Sequence, residues 1–126
     1  MLTVIRKFVM TELFDISWKE AKLKDDDLRQ LQAELLRNPK SGDAMQGTGG
    51  FRKVRYAPEY RGKSGGLRVV YLDIPEFEVL YLMLAFPKNK KATLSKAECN
   101  ELKKISSNIK RSLYENKGRG NVKWRI

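Results

Sequence analysis

The chain has 126 residues, of which 41% are hydrophobic, and it carries a formal net charge of +11. This length and composition predict one domain that buries a core of its own. The charge favours a polyanionic partner, either a nucleic acid or an acidic protein. Because the chain has no histidine and a single cysteine, Cys99, histidine-based nucleases, Ser-His-Asp triads and cysteine zinc sites are excluded.

The sequence also indicates the compartment and the absence of a cofactor. No apolar run approaches the roughly 18 residues of a membrane span, and Arg6 and Lys7 interrupt the apolar N-terminus, which is unlike a secretory signal. We therefore expect a cytoplasmic protein with no membrane partner. The acidic run Asp25–Asp27 suits a helix start better than a metal site, so we predict neither metal nor cofactor.

The N-terminal third predicts one strand and two helices. Thr3–Val9 is short and β-branched, which is typical of a strand. Glu12–Leu23 has a weaker helical pattern. A stronger helix, which we expect Asp25 or Asp26 to cap, has its leucines on one face and ends at Asn38 because the following proline disfavours helix; these leucines are Leu28, Leu31, Leu35 and Leu36.

The middle of the chain predicts three strands, Phe51–Ala57, Leu67–Ile74 and Glu78–Phe86. Because they follow one another closely, we expect an antiparallel meander. The third strand is almost entirely apolar, which predicts a central position with both faces covered.

The C-terminal third predicts one long helix. Ser95 and Glu98 form a capping box, with Leu94 and Cys99 at the two positions of a hydrophobic staple. Cys99 is therefore interpreted as a packed residue rather than a nucleophile. An apolar stripe follows, formed by Leu102, Ile105, Ile109 and Leu113. We predict a single domain over residues 1–114 and a basic, flexible tail over residues 115–126.

Two pairs of glycines bracket a basic strand, the first of the meander, and the second pair leads into another strand that carries one arginine. Because side chains alternate along a strand, Lys53 and Arg55 share one face, while Val54 and Tyr56 suit the core on the other. Arg68 on the next strand can lie alongside Lys53 and Arg55. Cations beside glycine backbone can converge on a phosphodiester; the competing interpretation is a solvated face that keeps the sheet soluble.

Such a site could cleave RNA without a metal ion by using the substrate's own 2′-hydroxyl. Arg55 and Arg68 would stabilise charge on the phosphate, since the guanidinium group binds phosphate but does not deprotonate. Neighbouring positive charges can make a lysine a usable base, which favours Lys53. Tyrosines 56, 60 and 71 could stack on bases or donate a proton, although Tyr71 is more typical of a core residue.

Several segments together resemble HigB-type toxins of the RelE/ParE superfamily, from bacterial type II toxin–antitoxin systems. They are Asn38–Asp43, Gly47–Arg55, Gly62–Tyr71, Phe86–Lys91 and Leu94–Glu98. The resemblance covers roughly residues 25 to 105. It implies an α+β, RelE-like fold, in which a small antiparallel sheet packs against two N-terminal helices and a C-terminal helix.

The resemblance also implies a function and partners. RelE-type members are mRNA interferases, endoribonucleases that cut mRNA in the ribosomal A site. The partners would be the ribosome, mRNA and a cognate antitoxin, of the helix-turn-helix HigA type, which would mediate any contact with operator DNA. Two alternatives stay open: a ParE-like toxin that inhibits gyrase, and a non-catalytic nucleic-acid-binding module.

By the same resemblance, Lys53, Arg55 and Arg68 match the cations placed around the scissile phosphate, and Lys88 matches a basic residue after the third strand. The family often has Tyr-Lys or Gly-Lys at that point, where this chain has Phe86-Pro87-Lys88. The remaining predicted contacts to RNA or the ribosome are Arg52, Tyr56, Arg61, Lys63, Lys90 and Lys91.

Overall fold

The computed structural model describes residues 4–58, 60, 66–87 and 94–123, with side chains up to residue 116. The fold is α+β, as predicted. The helices are α1 Glu12–Glu20, α2 Asp25–Arg37 and α3 Lys96–Lys123. The strands are β1 Lys7–Met10, β2 Asp43–Ala44, β3 Phe51–Tyr56, β4 Leu67–Ile74 and β5 Val79–Pro87. Within these ranges no helix is long and apolar enough to cross a membrane.

The five strands form one mixed sheet in the order β1-β5-β4-β3-β2. The predicted meander of β3, β4 and β5 is confirmed as antiparallel. The sheet differs from the predicted antiparallel one at its first strand, because β1 pairs with β5 in parallel, with Lys7 opposite Val79. Residue alternation is the same in both pairing modes, so the sequence pattern of β1 carries no information about its direction.

Helices cover the sheet on both faces and bury a separate apolar cluster on each. On one face α1 and α2 pack Phe14, Trp18 and Leu31 against β3, β4 and β5. On the other face α3 packs Leu102 and the rest of its predicted stripe against Phe51 and neighbouring strand residues. Strand β5 lies between β1 and β4, and helices cover it on both faces, which confirms its predicted central position.

The helix starts confirm one predicted cap and correct another. At α3 the capping box is present: Ser95 Oγ accepts from Glu98 N at 3.1 Å, and Glu98 Oε1 accepts from Ser95 N at 2.9 Å. At α2 the cap residue is Lys24 rather than Asp25 or Asp26. At this end of the helix the carboxylate of Asp27 accepts a hydrogen bond from Lys24 N at 2.9 Å.

The glycine-rich loop before β3 positions α3. Gly49 has φ +78°, and a Cβ there would lie 2.9 Å from Ser106 Cβ, so a side chain would push the helix away. The Gly49 carbonyl accepts from Ser106 Oγ at 2.7 Å and from Lys110 Nζ at 3.1 Å. This helix runs to Lys123, beyond the boundary predicted at residue 114; the division into a domain and a flexible tail stays a prediction.

Candidate functional site

Three of the predicted catalytic cations lie on one face of the sheet. On β3, Phe51 packs in the cluster under α3, whereas Tyr56 packs in the cluster under α1 and α2. Lys53 and Arg55 share the side of Phe51 by alternation. The register sets Arg55 directly opposite Arg68 and Lys53 opposite Val70. The predicted grouping of Lys53, Arg55 and Arg68 is therefore present in the fold.

The arginine pair is costly for the sheet by itself. Like charges directly opposite on neighbouring strands destabilise the pairing. Arg68 is half-buried, and its Nε is buried without a hydrogen-bond partner in the described part of the chain. A buried donor left unsatisfied costs about 1 to 3 kcal/mol. An anion placed between the two guanidinium groups would relieve the repulsion between them.

The cations open onto a cleft between the sheet and the start of α3. The cleft has a volume of about 410 Å³, and its polar lining includes Lys53, Arg68 and Asp43. A second opening of about 490 Å³, at the edge of the sheet, shares these three residues and adds Arg55. The site therefore opens both on the face of the sheet that α3 covers and at the edge of the sheet.

Asp43 is a member of the site that the sequence interpretation missed. It lies on the short edge strand β2 and pairs in register with Lys53. Its side chain is exposed and lines both openings. In the sequence Asp43 stands at the end of the Asn38–Asp43 segment, which resembles the family. It was assigned to a loop, so no strand partner was predicted for it.

Hydrogen bonds of the Tyr71 side chain hold the loop that carries Asp43 in place. The Tyr71 hydroxyl donates to Pro39 O at 2.8 Å and accepts from Gly42 N at 2.9 Å. Arg52 adds a third contact, since its Nη1 donates to Gly42 O at 2.8 Å. A Cβ on Gly42 would lie 2.8 Å from the Tyr71 ring and hydroxyl. Burial raises the pKa of Tyr71, which keeps the phenol neutral as a donor.

Two predicted RNA contacts, Tyr56 and Arg52, face away from the cleft. Tyr56 is only 3% exposed and packs against Trp18 with ring centroids 5.7 Å apart. Its hydroxyl donates to Gln30 Oε1 at 2.8 Å, and burial raises its pKa to about 12. The contact of Tyr56 with RNA stays a prediction, and the burial of its ring in the core argues against it. Arg52 lies on the same side as Tyr56 and holds the β2 loop.

The other predicted contacts divide into described and undescribed residues. Tyr60 is 67% exposed, and its hydroxyl donates to Asp27 at 2.8 Å. Five predicted residues lie outside the described residues, and their roles stay predictions: Arg61, Lys63, Lys88, Lys90 and Lys91. Among the residues that are described, no group of three or more Cys, Asp or Glu is placed to hold a metal ion.

Comparison with known proteins identifies the family. The family model described as the RelE toxin of the RelE/RelB toxin–antitoxin system matches residues 6–117. The chain belongs to the RelE toxin family. Membership makes it a toxin of a toxin–antitoxin system, with an antitoxin as partner. A similar solved structure is a mutant of the Escherichia coli toxin RelE in the free state, at 23% identity and a TM-score of 0.44, covering 87% of this chain and 98% of that one.

Proposed function

We propose that this RelE-family toxin is a ribosome-dependent endoribonuclease that cuts mRNA while it is translated. The observation that carries the proposal is the Arg55–Arg68 pair, set in register at an open cleft with Arg68 Nε buried and unpartnered. This arrangement costs stability in the free protein and suits a bound phosphodiester. Planar guanidinium groups bind phosphate oxygens through paired hydrogen bonds.

The proposed reaction is an attack by the substrate's 2′-oxygen on the neighbouring phosphorus. The O2′–P bond forms as the P–O5′ bond breaks, which gives a 2′,3′-cyclic phosphate and a 5′-hydroxyl. Arg55 and Arg68 stabilise the charge that develops on the phosphate oxygens, in a site organised before the substrate binds. No step in this scheme requires a metal ion.

Two protons must move in this scheme. Lys53, half-buried between the arginines and Asp43, is our candidate for the base that takes the 2′-hydroxyl proton. Asp43 is the rival, because its carboxylate lines the same cleft and is an acceptor when ionised. If Lys53 accepts the 2′-hydroxyl proton, the ammonium group that results can donate a proton to the leaving 5′-oxygen. If Asp43 accepts it, the ammonium group of Lys53 can serve as that donor.

The finer identity follows the sequence resemblance. We propose a HigB-type toxin that acts in the cytoplasm and is inhibited by a helix-turn-helix antitoxin of the HigA type. That antitoxin would mediate contact with operator DNA. A small reading frame for a helix-turn-helix protein next to this gene would support the subtype.

The two alternative functions make different use of the cleft. A ParE-like gyrase inhibitor or a non-catalytic nucleic-acid-binding module does not require a preorganised phosphate site with a proton acceptor inside it. The combination of Arg55, Arg68, Lys53 and Asp43 at one opening therefore favours cleavage.

A translation assay with purified ribosomes tests the proposal. Primer extension on an mRNA incubated with the toxin should reveal cuts only when the ribosome translates that mRNA, and chelators of transition metals should not prevent them while ribosomal magnesium is maintained. An mRNA with a mutated start codon is the control. Intact mRNA in growth-arrested cells, together with gyrase-linked DNA breaks, would instead establish the ParE-like function.

A further inference from the structure

The cationic cleft continues into an apolar one that the proposed reaction does not use. This second cleft has a volume of about 420 Å³ and lies between β4, β5 and the first turns of α3. Val70, Phe86 and Leu94 line both clefts. Its size falls within the range of small-ligand sites, roughly 300 to 1,000 Å³.

The apolar cleft begins one side-chain step from the phosphate site. Arg68 and Val70 stand two residues apart on the same face of β4, which places them about 7 Å apart along the strand. This is the scale that separates a phosphate from the base of its own nucleotide. A strand of RNA held at Arg68 can therefore place a base over Val70.

The lining of the apolar cleft suits a planar ring with polar edges. Phe86 and Leu84 are half-buried and present apolar surface to the opening. Stacking of bases on aromatic side chains such as Phe86 is a general contribution to single-strand recognition. Two carboxylates from α3, Glu98 and Glu101, form the polar part of the wall.

The carboxylates give the cleft a preference among bases. Glu98 is engaged in the capping box, whereas the Glu101 side chain is 70% exposed and lies 3.7 Å from Lys104 Nζ. An ionised carboxylate only accepts hydrogen bonds. Adenine, cytosine and guanine present exocyclic amino groups, and uracil presents a single N–H between two carbonyl oxygens.

From these observations we propose that the apolar cleft is a nucleobase subsite, which binds a base next to the scissile phosphate and prefers an amino-bearing base to uracil. The occupant is a base of the cleaved mRNA, because the cleft is continuous with the cationic site and its acidic wall matches amino groups. This inference rests on the proposed endoribonuclease function and adds a sequence preference to it.

Single-turnover cleavage of ribosome-bound mRNAs tests the subsite. The mRNAs differ by one base at each of the two nucleotides that flank the cut. At one of these positions the wild-type toxin should cut adenine, cytosine or guanine about five- to tenfold faster than uracil. The preference should fall to less than about twofold in Glu101→Gln, because a glutamine side chain can both donate and accept.

Glu34→Gln is the matched control. Glu34 is an exposed residue of α2, on the opposite layer of the fold, and the substitution removes the same charge. It should leave the preference intact. As a second variant, Leu84→Trp should fill the cleft and slow cleavage about tenfold on amino-bearing sequences, and circular dichroism would verify that it folds.

The outcomes separate the two proposals. If wild-type toxin cuts translated mRNA at equal rates with all four bases, the subsite is wrong and the endoribonuclease proposal stands. If Leu84→Trp loses binding to the antitoxin while its cleavage rates and preference are unchanged, the cleft accommodates a protein side chain and the subsite is again wrong. A wild-type toxin that cuts no mRNA would overturn both proposals.

Discussion

The two faces of the sheet differ in how far their helices reach. Under α1 and α2 the apolar layer extends to the end of β3 and the start of β4, where Tyr56 and Leu67 are each 3% exposed. Under α3 the layer includes Phe51, and the next two residues on that side, Lys53 and Arg55, are cationic. The same two strands are thus core on one face and site on the other.

This difference shows how a small domain combines stability with a strained site. The face under α1 and α2 supplies stability through Phe14, Trp18 and the buried strand residues opposite them. The stability gained by this burial offsets the cost of the unfavourable Arg55–Arg68 pairing on the other face. A variant of the open face should therefore change cleavage with little effect on folding, and a variant of the covered face should do the reverse.

The strongest test of the comparison is Arg68→Ala. Loss of one charge-stabilising group from a preorganised site typically costs about 100- to 1000-fold in rate. We expect ribosome-dependent cleavage to fall by this factor, with the free energy of unfolding unchanged or increased because the opposed cation is removed. Arg29→Ala, at an exposed arginine of α2 with 67% side-chain exposure, is the matched control and should leave the cleavage rate intact. If Arg68→Ala remained fully toxic, the assignment of the active site to this cleft would be wrong.

The next test separates charge from proton transfer at Lys53. Lys53→Ala should slow cleavage about 100-fold, which is typical for loss of a general base. Lys53→Arg should not restore the rate, since arginine keeps the charge but does not deprotonate. Single-turnover rates measured alongside Asp43→Asn decide the assignment. Near-full activity in Lys53→Arg together with a large loss in Asp43→Asn would make Asp43 the base.

A smaller effect is expected at the support of the β2 loop. Tyr71→Phe removes the hydroxyl that bonds both Pro39 O and Gly42 N. We expect the free energy of unfolding to fall by about 1 to 3 kcal/mol, as measured by urea denaturation, with a modest loss of cleavage because Asp43 is no longer held. Tyr81→Phe is the control: Tyr81 is half-buried, and its hydroxyl makes no hydrogen bond with the described residues. An equal loss in both variants would contradict the role of the loop contacts.

The smallest expected effect is a pH dependence that arises on the covered face. Burial first, and the nearby Asp27 carboxylate second, raise the pKa of Tyr56 to about 12, above its ordinary value of 10.0. The neutral phenol is favoured in the folded state, so this stability is fully present below pH 10 and is lost as the pH rises toward 12. Thermal denaturation of the wild type and Tyr56→Phe should show a steeper decline for the wild type across this window. Parallel curves would mean that Tyr56 ionises as it does in the unfolded chain.

The sequence was most informative where a residue's neighbours along the chain determine its environment. The capping box of Ser95 and Glu98 and the stripe of α3 depend on contacts within one helix, so local spacing was sufficient to predict them. The alternation of β3 likewise placed Lys53 and Arg55 on the face opposite Tyr56. The resemblance to the family gave the fold class, which the arrangement of helices and sheet bears out.

Tertiary structure decided what depends on pairing between distant segments. The parallel alignment of β1 with β5 and the hydrogen bonds from Tyr71 to the β2 loop join segments far apart in the chain. The position of Asp43 opposite Lys53 depends on the pairing of a two-residue strand, which local sequence does not specify. Alternation assigns a side chain to a face, but it does not specify which partner that face meets or whether a helix covers it. The sequence therefore determined which cations share a face, and the length and placement of α3 decided that they open onto a cleft.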